Sequence, residues 1–480
     1  MKYAVVILIA LAGCGSSPDK TVAQLEDPNT CKECHPKHFD QWASSMHAYA
    51  SEDPVFVAMN KRGQRETGNT LGTFCVKCHA PMAVQLNKTN GVDYDPAALD
   101  ASTKGITCFF CHNVDKVTDD HNNGLVLAMD QTMHGGTSNP SETPAHDTLN
   151  DTNLMASLTN KSTMCGSCHD IITPTLNVHI ERSFEEWKGT IFTQPGINGD
   201  TCSRCHMKVS SDPIAEGPGL DVKQRQDGFH IHTFPAIDQA VTPFPGMDLQ
   251  AAGIQDILDP AIAIVGPRPV SNDTPPGGIC LDPPGTLSVR VDTFNVGHNF
   301  PSGSSQDRRT WLEVIAYDAS NNVVFSSGVV GDDQDPEDIH DPHIDCVNPA
   351  VFECSGFWDR MTKTDGSEAH FFWDVANETS YFLKPAVTLV SSDPAFDHST
   401  TNKWDVSGVF GQIDHITARI RTRPFPYAVL RELVASGDLD PMFADSLNTV
   451  QGMGAVKTWT KATKGTGGAS MNTNCNPNGD

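Results

Sequence analysis

Apolar residues are spread unevenly along the 480-residue chain, and their rhythm changes beyond the middle. An unbroken apolar run from Ala4 to Ala12 follows the short basic start Met1-Lys2-Tyr3. It is too short for a spanning helix and has the length of a secretory h-region. From there to about residue 241 long apolar runs are absent, and Asn, Thr, Gly and Asp dominate. One amphipathic stretch stands out. Pro36 suits a first helical turn, and Phe39, Trp42, Met46 and Tyr49 recur on one helical face. If that helix is continuous, His35 and His47 lie about 18 Å apart along its axis, too far to share one metal. Between 242 and 278 the text turns rich in Pro and Gly, which predicts a linker with one short helix near Met247–Leu258.

Beyond the linker the period becomes two. Leu287–Val296 alternates, and Trp311–Tyr317 and Val323–Ser326 flank the turn residues Ser320-Asn321-Asn322. Further strands are predicted at His370–Val375, Ala386–Ser391 and His415–Thr422, and a helix at Ala428–Ala435. Strand size and turn spacing predict a β-sandwich that folds separately from about Ile279.

A segment as poor in apolar runs as 30–241 cannot build a core from side chains alone, and its cysteines indicate what fills it. Cys-x-x-Cys-His occurs five times, at Cys31/Cys34/His35, Cys75/Cys78/His79, Cys108/Cys111/His112, Cys165/Cys168/His169 and Cys202/Cys205/His206. At this composition about 0.02 such matches are expected by chance. Each is the signature of a c-type haem, with two thioethers to the porphyrin and the histidine on the iron. Zinc sites would need paired Cys-x-x-Cys units and no histidine after every second cysteine. Five covalent haems are therefore expected, each an apolar plate around which short helices can wrap. The first cysteines are 44, 33, 57 and 37 residues apart, so no repeat period organises them.

The ends agree with this cofactor. Leu11-Ala12-Gly13-Cys14 looks like a lipobox, which predicts an acylated Cys14 as mature N-terminus, and Gly15 after it favours the outer membrane. Bacterial c-type haems are attached outside the cytoplasm, so export is required in any case. Four cysteines remain after the last motif. Of their three pairings Cys346–Cys354 is favoured for its short loop through Asn348-Pro349, leaving Cys280 and Cys475 by elimination. A formal charge of −26 repels nucleic acid and anionic membrane surfaces and favours cationic redox partners. The expected organisation is a signal peptide at 1–13, a lipidated Cys14 with its tether at 14–29, and a pentahaem domain at 30–241. The linker follows at 242–278, then the β-sandwich domain at 279–425, a closing helix at 426–460 and a polar tail at 461–480. The fold class is α + β multidomain, with a mostly helical and loop-built haem part followed by the sandwich-like part.

Three further phrases add a resemblance. The stretch Cys31 to Ala48, the segment Gly105-Ile-Thr-Cys-Phe-Phe-Cys-His112 with Met133-His134-Gly135, and Phe184-Glu-Glu-Trp187 with Cys202–Met207 are similar to multihaem cytochromes related to the tetrahaem cytochrome of ammonia oxidation and to hydroxylamine oxidoreductase. His230-Ile-His232 resembles the histidine-rich stretch after their last haem. The resemblance covers about Thr30 to Ala236 and implies a mostly helical fold, closely stacked haems and mostly bis-histidine iron. Carried over by position, it implies His47, His134 and His232 as distal ligands, followed by His179 and His230. His121 is weaker, and His38 and His146 read as surface residues. Five haems match neither the tetrahaem nor the octahaem members, so no histidine is assigned to an iron. Met82, Met133 and Met207 are alternative ligands.

Val296-Gly-His298-Asn-Phe-Pro301-Ser-Gly303, with Arg308-Arg309-Thr-Trp311, resembles the haem-free C-terminal part of some multihaem cytochromes. His298 is a further distal candidate, weighed equally against a strand-end histidine. The acidic loop Gly331–Asp341 offers Asp332, Asp333, Asp335 and Asp338 to calcium, but it departs from the EF-hand order, so a solvated loop is the favoured reading. The function expected is an exported, lipid-anchored electron carrier in a respiratory or extracellular chain. Its partners would be other redox proteins or quinol-linked donors. The rival is a reductase or oxidase of a small nitrogen or sulfur compound at one open haem.

Overall fold

The computed structural model describes residues 20–135, 145–154, 156–194, 199–216, 229–265, 278–346, 354–444 and 452–461. The apolar run, Cys14 and Cys475 lie outside the described residues. Short helices and two-stranded ribbons make up the first half, and larger antiparallel sheets the second.

The amphipathic stretch after the first motif forms two helices, Pro36–Ala43 and Met46–Tyr49. This corrects the single helix expected there. Ser44 and Ser45 are buried, and each hydroxyl donates to a backbone carbonyl behind it, Ser44 to Gln41 and Ser45 to Trp42. Ser45 then adopts extended backbone and caps the second helix by accepting from the Ala48 amide. The break swings His47 out of line with His35.

Helix Met247–Leu258 falls where it was expected, with Ile254 and Leu258 buried. The expected linker also holds a strand: Ile262–Ile264 pairs with Thr286–Thr293 and buries both isoleucines. Thr286–Thr293 also pairs with Ile279–Asp282 and Thr400–Asp405, completing a four-stranded sheet. A five-stranded sheet runs Val323–Ser327, Arg309–Tyr317, His415–Arg423, Gly452–Thr460, with Gly356–Phe357 also on Arg309–Tyr317. One apolar core joins the sheets. Leu312, Val314 and Ala316 alternate inward and meet Leu287, Val289 and Val291 from the other sheet. Ile416, Ala418 and Ile420 extend the same layer.

Three strand expectations change. His370–Val375 is a turn: Phe371 and Trp373 plug a neighbouring apolar cluster instead of alternating. Ala386–Ser391 has no strand pairing and leaves Val387, Leu389 and Val390 exposed. The stretch 426–460 is more than a closing helix, because Tyr427–Ala435 is followed by strand Gly452–Thr460, which pairs with His415–Arg423.

The two halves share cores. Helix Tyr427–Ala435 packs Val429, Leu430 and Leu433 with Val55, Ala58, Met59 and Leu71 of the motif-bearing half. Ile180 packs with Met361, Ala369 and Val375. The β region is thus cemented to the first half by buried apolar surface, not hung from a linker. Cys346 and Cys354 form a disulfide with Cα atoms 4.9 Å apart. Among the described residues no helix is long and apolar enough to cross a membrane.

Candidate haem sites

Each Cys-x-x-Cys-His motif folds as about one helical turn. His35 donates its amide to the Cys31 carbonyl at 2.8 Å, and His79 and His169 do the same to Cys75 and Cys165 at 3.3 and 3.0 Å. Cys108–His112 and Cys202–His206 are single short helices. One turn brings positions i, i+3 and i+4 to one face, so both sulfurs and the imidazole address the same plate. Thr107 caps the third motif by accepting from the Phe110 amide.

The second cysteines of the motifs share one spelling but not one backbone setting. Cys34 stands in a turn just past the end of helix Pro28–Lys32, and Cys168 just past Leu158–Gly166, whereas Cys78, Cys111 and Cys205 lie inside their helices. At Cys34, Pro36 disfavours helical backbone at His35, and the chain leaves the helix within the motif. Backbone bonds hold Cys34 in place instead. Its amide donates to the Cys31 carbonyl at 3.2 Å, and its own carbonyl accepts from the Glu216 amide at 2.7 Å.

The imidazoles are oriented as metal ligands would be. Nδ1–H donates to a backbone carbonyl in His35 (Ile214, 2.6 Å), His79 (Ala50, 3.2 Å), His112 (His134, 2.8 Å) and His206 (Pro235, 2.8 Å). That fixes the tautomer and leaves Nε2 for the iron. Burial keeps the rings neutral, pushing His79 down to about 4, and His47 and His232 to about 3. His35, His112, His169, His206 and His298 are lowered for the same reason.

Four motif histidines face a second imidazole at nearly one spacing. Ring centres are 6.1 Å apart for His47–His169, 6.2 Å for His112–His232, 6.3 Å for His206–His298 and 6.5 Å for His35–His146. A metal–imidazole bond of about 2 Å, plus about 1.1 Å from nitrogen to ring centre, gives about 6.2 Å for two rings across one iron. The spacing is too long for direct ring contact and fits an iron between them. His146 and His298 also donate Nδ1–H to carbonyls, of Asp147 at 2.9 Å and Asn299 at 2.7 Å. The residues present fit the cofactor. His79 differs: its ring stacks on Phe56 at 4.0 Å, and among the described residues no histidine faces it at the common spacing.

The motifs also touch one another. The sulfur of Cys31 lies beside that of Cys108, Cys78 beside Cys168, and Cys165 beside Cys202. Motif one therefore abuts motif three, and motif four abuts both two and five. Cys111 of the third motif lies close enough to act electrostatically on Cys165 and Cys168 of the fourth. The five attachment points form one connected cluster.

The other candidates face no motif imidazole at that spacing among the described residues. His179 is bound to Asp170, whose carboxylate raises the His179 pKa and engages its Nε2. His134 gives its carbonyl to His112 and its Nδ1 to Asp151 at 3.2 Å. His230 donates to the Met207 carbonyl at 2.6 Å, His121 sits on Asp120, and His38 packs against His232. Met82 and Met133 lie in an apolar cluster with Phe109 and Phe110. His146 is the partner sequence reasoning missed. It stands just ahead of Asp147–Asn150, which pairs in parallel with Thr132–Gly135 and carries the histidine to motif one; nothing local in its polar stretch signals that. The acidic loop is engaged in structure. Asp335 accepts from Arg423 and from the Tyr427 and Ala428 amides, so it is a helix anchor.

Comparison with known proteins agrees with the site. Residues 30–113 match the family model described as cytochrome c554 and c-prime. The fold is shared with a solved penta-heme cytochrome c552 from Thermochromatium tepidum, with TM-score 0.58 and 16% identity, covering 92% of this chain and 100% of that one. A search of curated proteins returned no match. Over residues 30–113 the chain is thus similar to the cytochrome c554 and c-prime family, and its fold is similar to that of a penta-heme cytochrome c.

Proposed function

We propose that this chain is a pentahaem electron carrier, with haems held at Cys31 and Cys34, Cys75 and Cys78, Cys108 and Cys111, Cys165 and Cys168, and Cys202 and Cys205. The four imidazole pairs at 6.1–6.5 Å carry the reading. They support His146, His232, His47 and His298 as distal ligands opposite His35, His112, His169 and His206. Each haem supplies one-electron exchange. The protein holds both imidazoles neutral and oriented in the oxidised and reduced states alike, which keeps reorganisation small. The abutting motifs support a relay from one to three to four, with two and five branching from four. The two-sheet unit, read as a sandwich, is then the donor of one axial ligand.

His79 supports a second activity at one point of the relay. With no histidine facing it at that spacing among the described residues, His79 would leave a haem held there open to a small ligand, and reduction or oxidation of a small nitrogen or sulfur compound would belong there. Carbon monoxide titration of the reduced holoprotein tests both parts: one equivalent per chain is expected. None would remove the second activity, and three or more would remove the carrier reading.

The cellular reading remains as the sequence suggests it, an exported lipoprotein acylated at Cys14 and held at the outer membrane, serving redox partners with cationic docking faces. Cys14→Ser is expected to move the protein from the membrane to the soluble exported fraction; unchanged membrane association would refute the anchor.

A further inference from the structure

Two phrases that stand 110 residues apart in sequence meet at the fifth motif. Helix Ser183–Lys188 lies against the loop Val296–Gly303 that presents His298. Glu186 Oε2 accepts from the Asn299 amide at 3.2 Å and from the Ser302 hydroxyl at 2.7 Å. Ser183 Oγ bonds Ser302 Oγ at 2.7 Å and accepts from the Gly303 amide at 3.0 Å. The Glu186 side chain is only 8% exposed, so these bonds are made away from bulk water. On the loop's other flank, a Cβ at Gly297 would sit 3.3 Å from Trp187 and 3.4 Å from Phe192, so the loop is seated closely against the helix's indole. The same indole reaches the other half of the site: Trp187 Nε1 donates at 3.1 Å to the carbonyl of Asp200, two residues before Cys202.

One short helix thus grips both the entry to the His206 motif and the loop bearing His298. We propose that Glu186 is the positioning residue for the fifth haem's axial pair, clamping the His298 loop so that its imidazole stays opposite His206. This rests on reading His206–His298 as an axial pair. His298 stands on a loop, whose backbone is held by few bonds of its own. The carboxylate takes two donors that follow the histidine, Asn299 and Ser302, so its loss frees the chain directly after the imidazole's attachment.

The test uses the full-length holoprotein, with carbon monoxide stoichiometry and the ferric low-spin signal as readouts, and five attached haems confirmed by mass. Glu186→Ala is expected to bind one more carbon monoxide per chain than the unmodified protein and to lose one low-spin signal. Glu186→Gln keeps an acceptor oxygen for both donors and is expected to behave as the unmodified protein. His298→Ala separates the two claims. If it gains one equivalent while Glu186→Ala gains none, the clamp is overturned and the axial pair stands. If His298→Ala gains none, the axial reading itself falls. Should Glu186→Ala fail to mature, Ser302→Ala carries the test: a partial high-spin signal at one haem supports the clamp, and an unmodified spectrum overturns it.

Discussion

Replacing Asp335 with alanine should destabilise the protein more than any other single change in the acidic loop. Its carboxylate, 4% exposed, lies 3.0 Å from the guanidinium of Arg423, which is fully buried. It also accepts from the Tyr427 and Ala428 amides at 2.9 and 2.8 Å, the first donors of helix Tyr427–Ala435. Removing one partner of a buried ion pair costs about 3–5 kcal/mol, because the remaining charge is left uncompensated. Two lost bonds to a charged acceptor would add about 1.5–3 kcal/mol each if independent. They are not independent, and Arg423 keeps the Gln334 carbonyl and the Tyr427 ring 4.6 Å away. A net loss of about 4 kcal/mol is therefore expected. Urea unfolding followed by far-ultraviolet circular dichroism gives the number, and a cycle with Arg423→Met gives the coupling. Because the helix packs on Val55, Ala58 and Met59, the motif-bearing half should loosen in the same transition. A loss under about 1 kcal/mol, or no coupling to Arg423→Met, would refute the reasoning. Chelator should leave the unmodified protein's midpoint unchanged, since Asp335 is spent on the helix; a fall would point to calcium.

The remaining predictions use other parts of the molecule. His370 is held up to about 9 by Glu368 and Glu432, with Arg62 sharing Glu432 and Asp307 sensing its charge. A raised folded-state value means the contribution is full below the ordinary value of 6.5 and is lost as pH rises through about 9. The unfolding temperature should fall over that interval, and His370→Gln should flatten the fall; an identical profile in the variant would count against the pairing. Gly166→Ala places a Cβ against the Phe184 ring inside the fourth motif, at a cost of about 1–3 kcal/mol. It should lower the yield of fully loaded protein by mass, and full loading at unchanged stability would show that the ring moves freely.

How much of this was legible depended on the kind of signal. Covalent attachment fixes Cys-x-x-Cys-His spacing, so all ten cysteines and five histidines could be read directly. The shared spelling hid a local difference, since Cys34 and Cys168 stand just past their helices while Cys78 and Cys111 stand inside theirs. Periodicity found helix Met247–Leu258 and the strands around Trp311 and Ile416, because each buries one regular face or sits in one core. It failed where polar groups are buried. Ser44 and Ser45 end a helix that the apolar stripe carries straight on. It failed also where aromatic residues plug a neighbour, as Phe371 and Trp373 do. The distal histidines were half legible. His47, His232 and His298 lie in recognisable phrases and face a motif imidazole, while His179 faces Asp170, nine residues earlier. His146 depends on a parallel strand pairing that no local pattern announces.

The central claim is that four irons are each closed by two imidazoles and one is not. Near-infrared magnetic circular dichroism of the fully oxidised holoprotein counts them, because bis-imidazole, imidazole–thioether and high-spin haems differ in their charge-transfer bands. Four bis-imidazole equivalents and one high-spin equivalent per chain are predicted, with one bis-imidazole equivalent lost in His146→Ala. Three or fewer in the unmodified protein, a thioether-ligated band, or a His146→Ala spectrum unchanged from it would contradict the account.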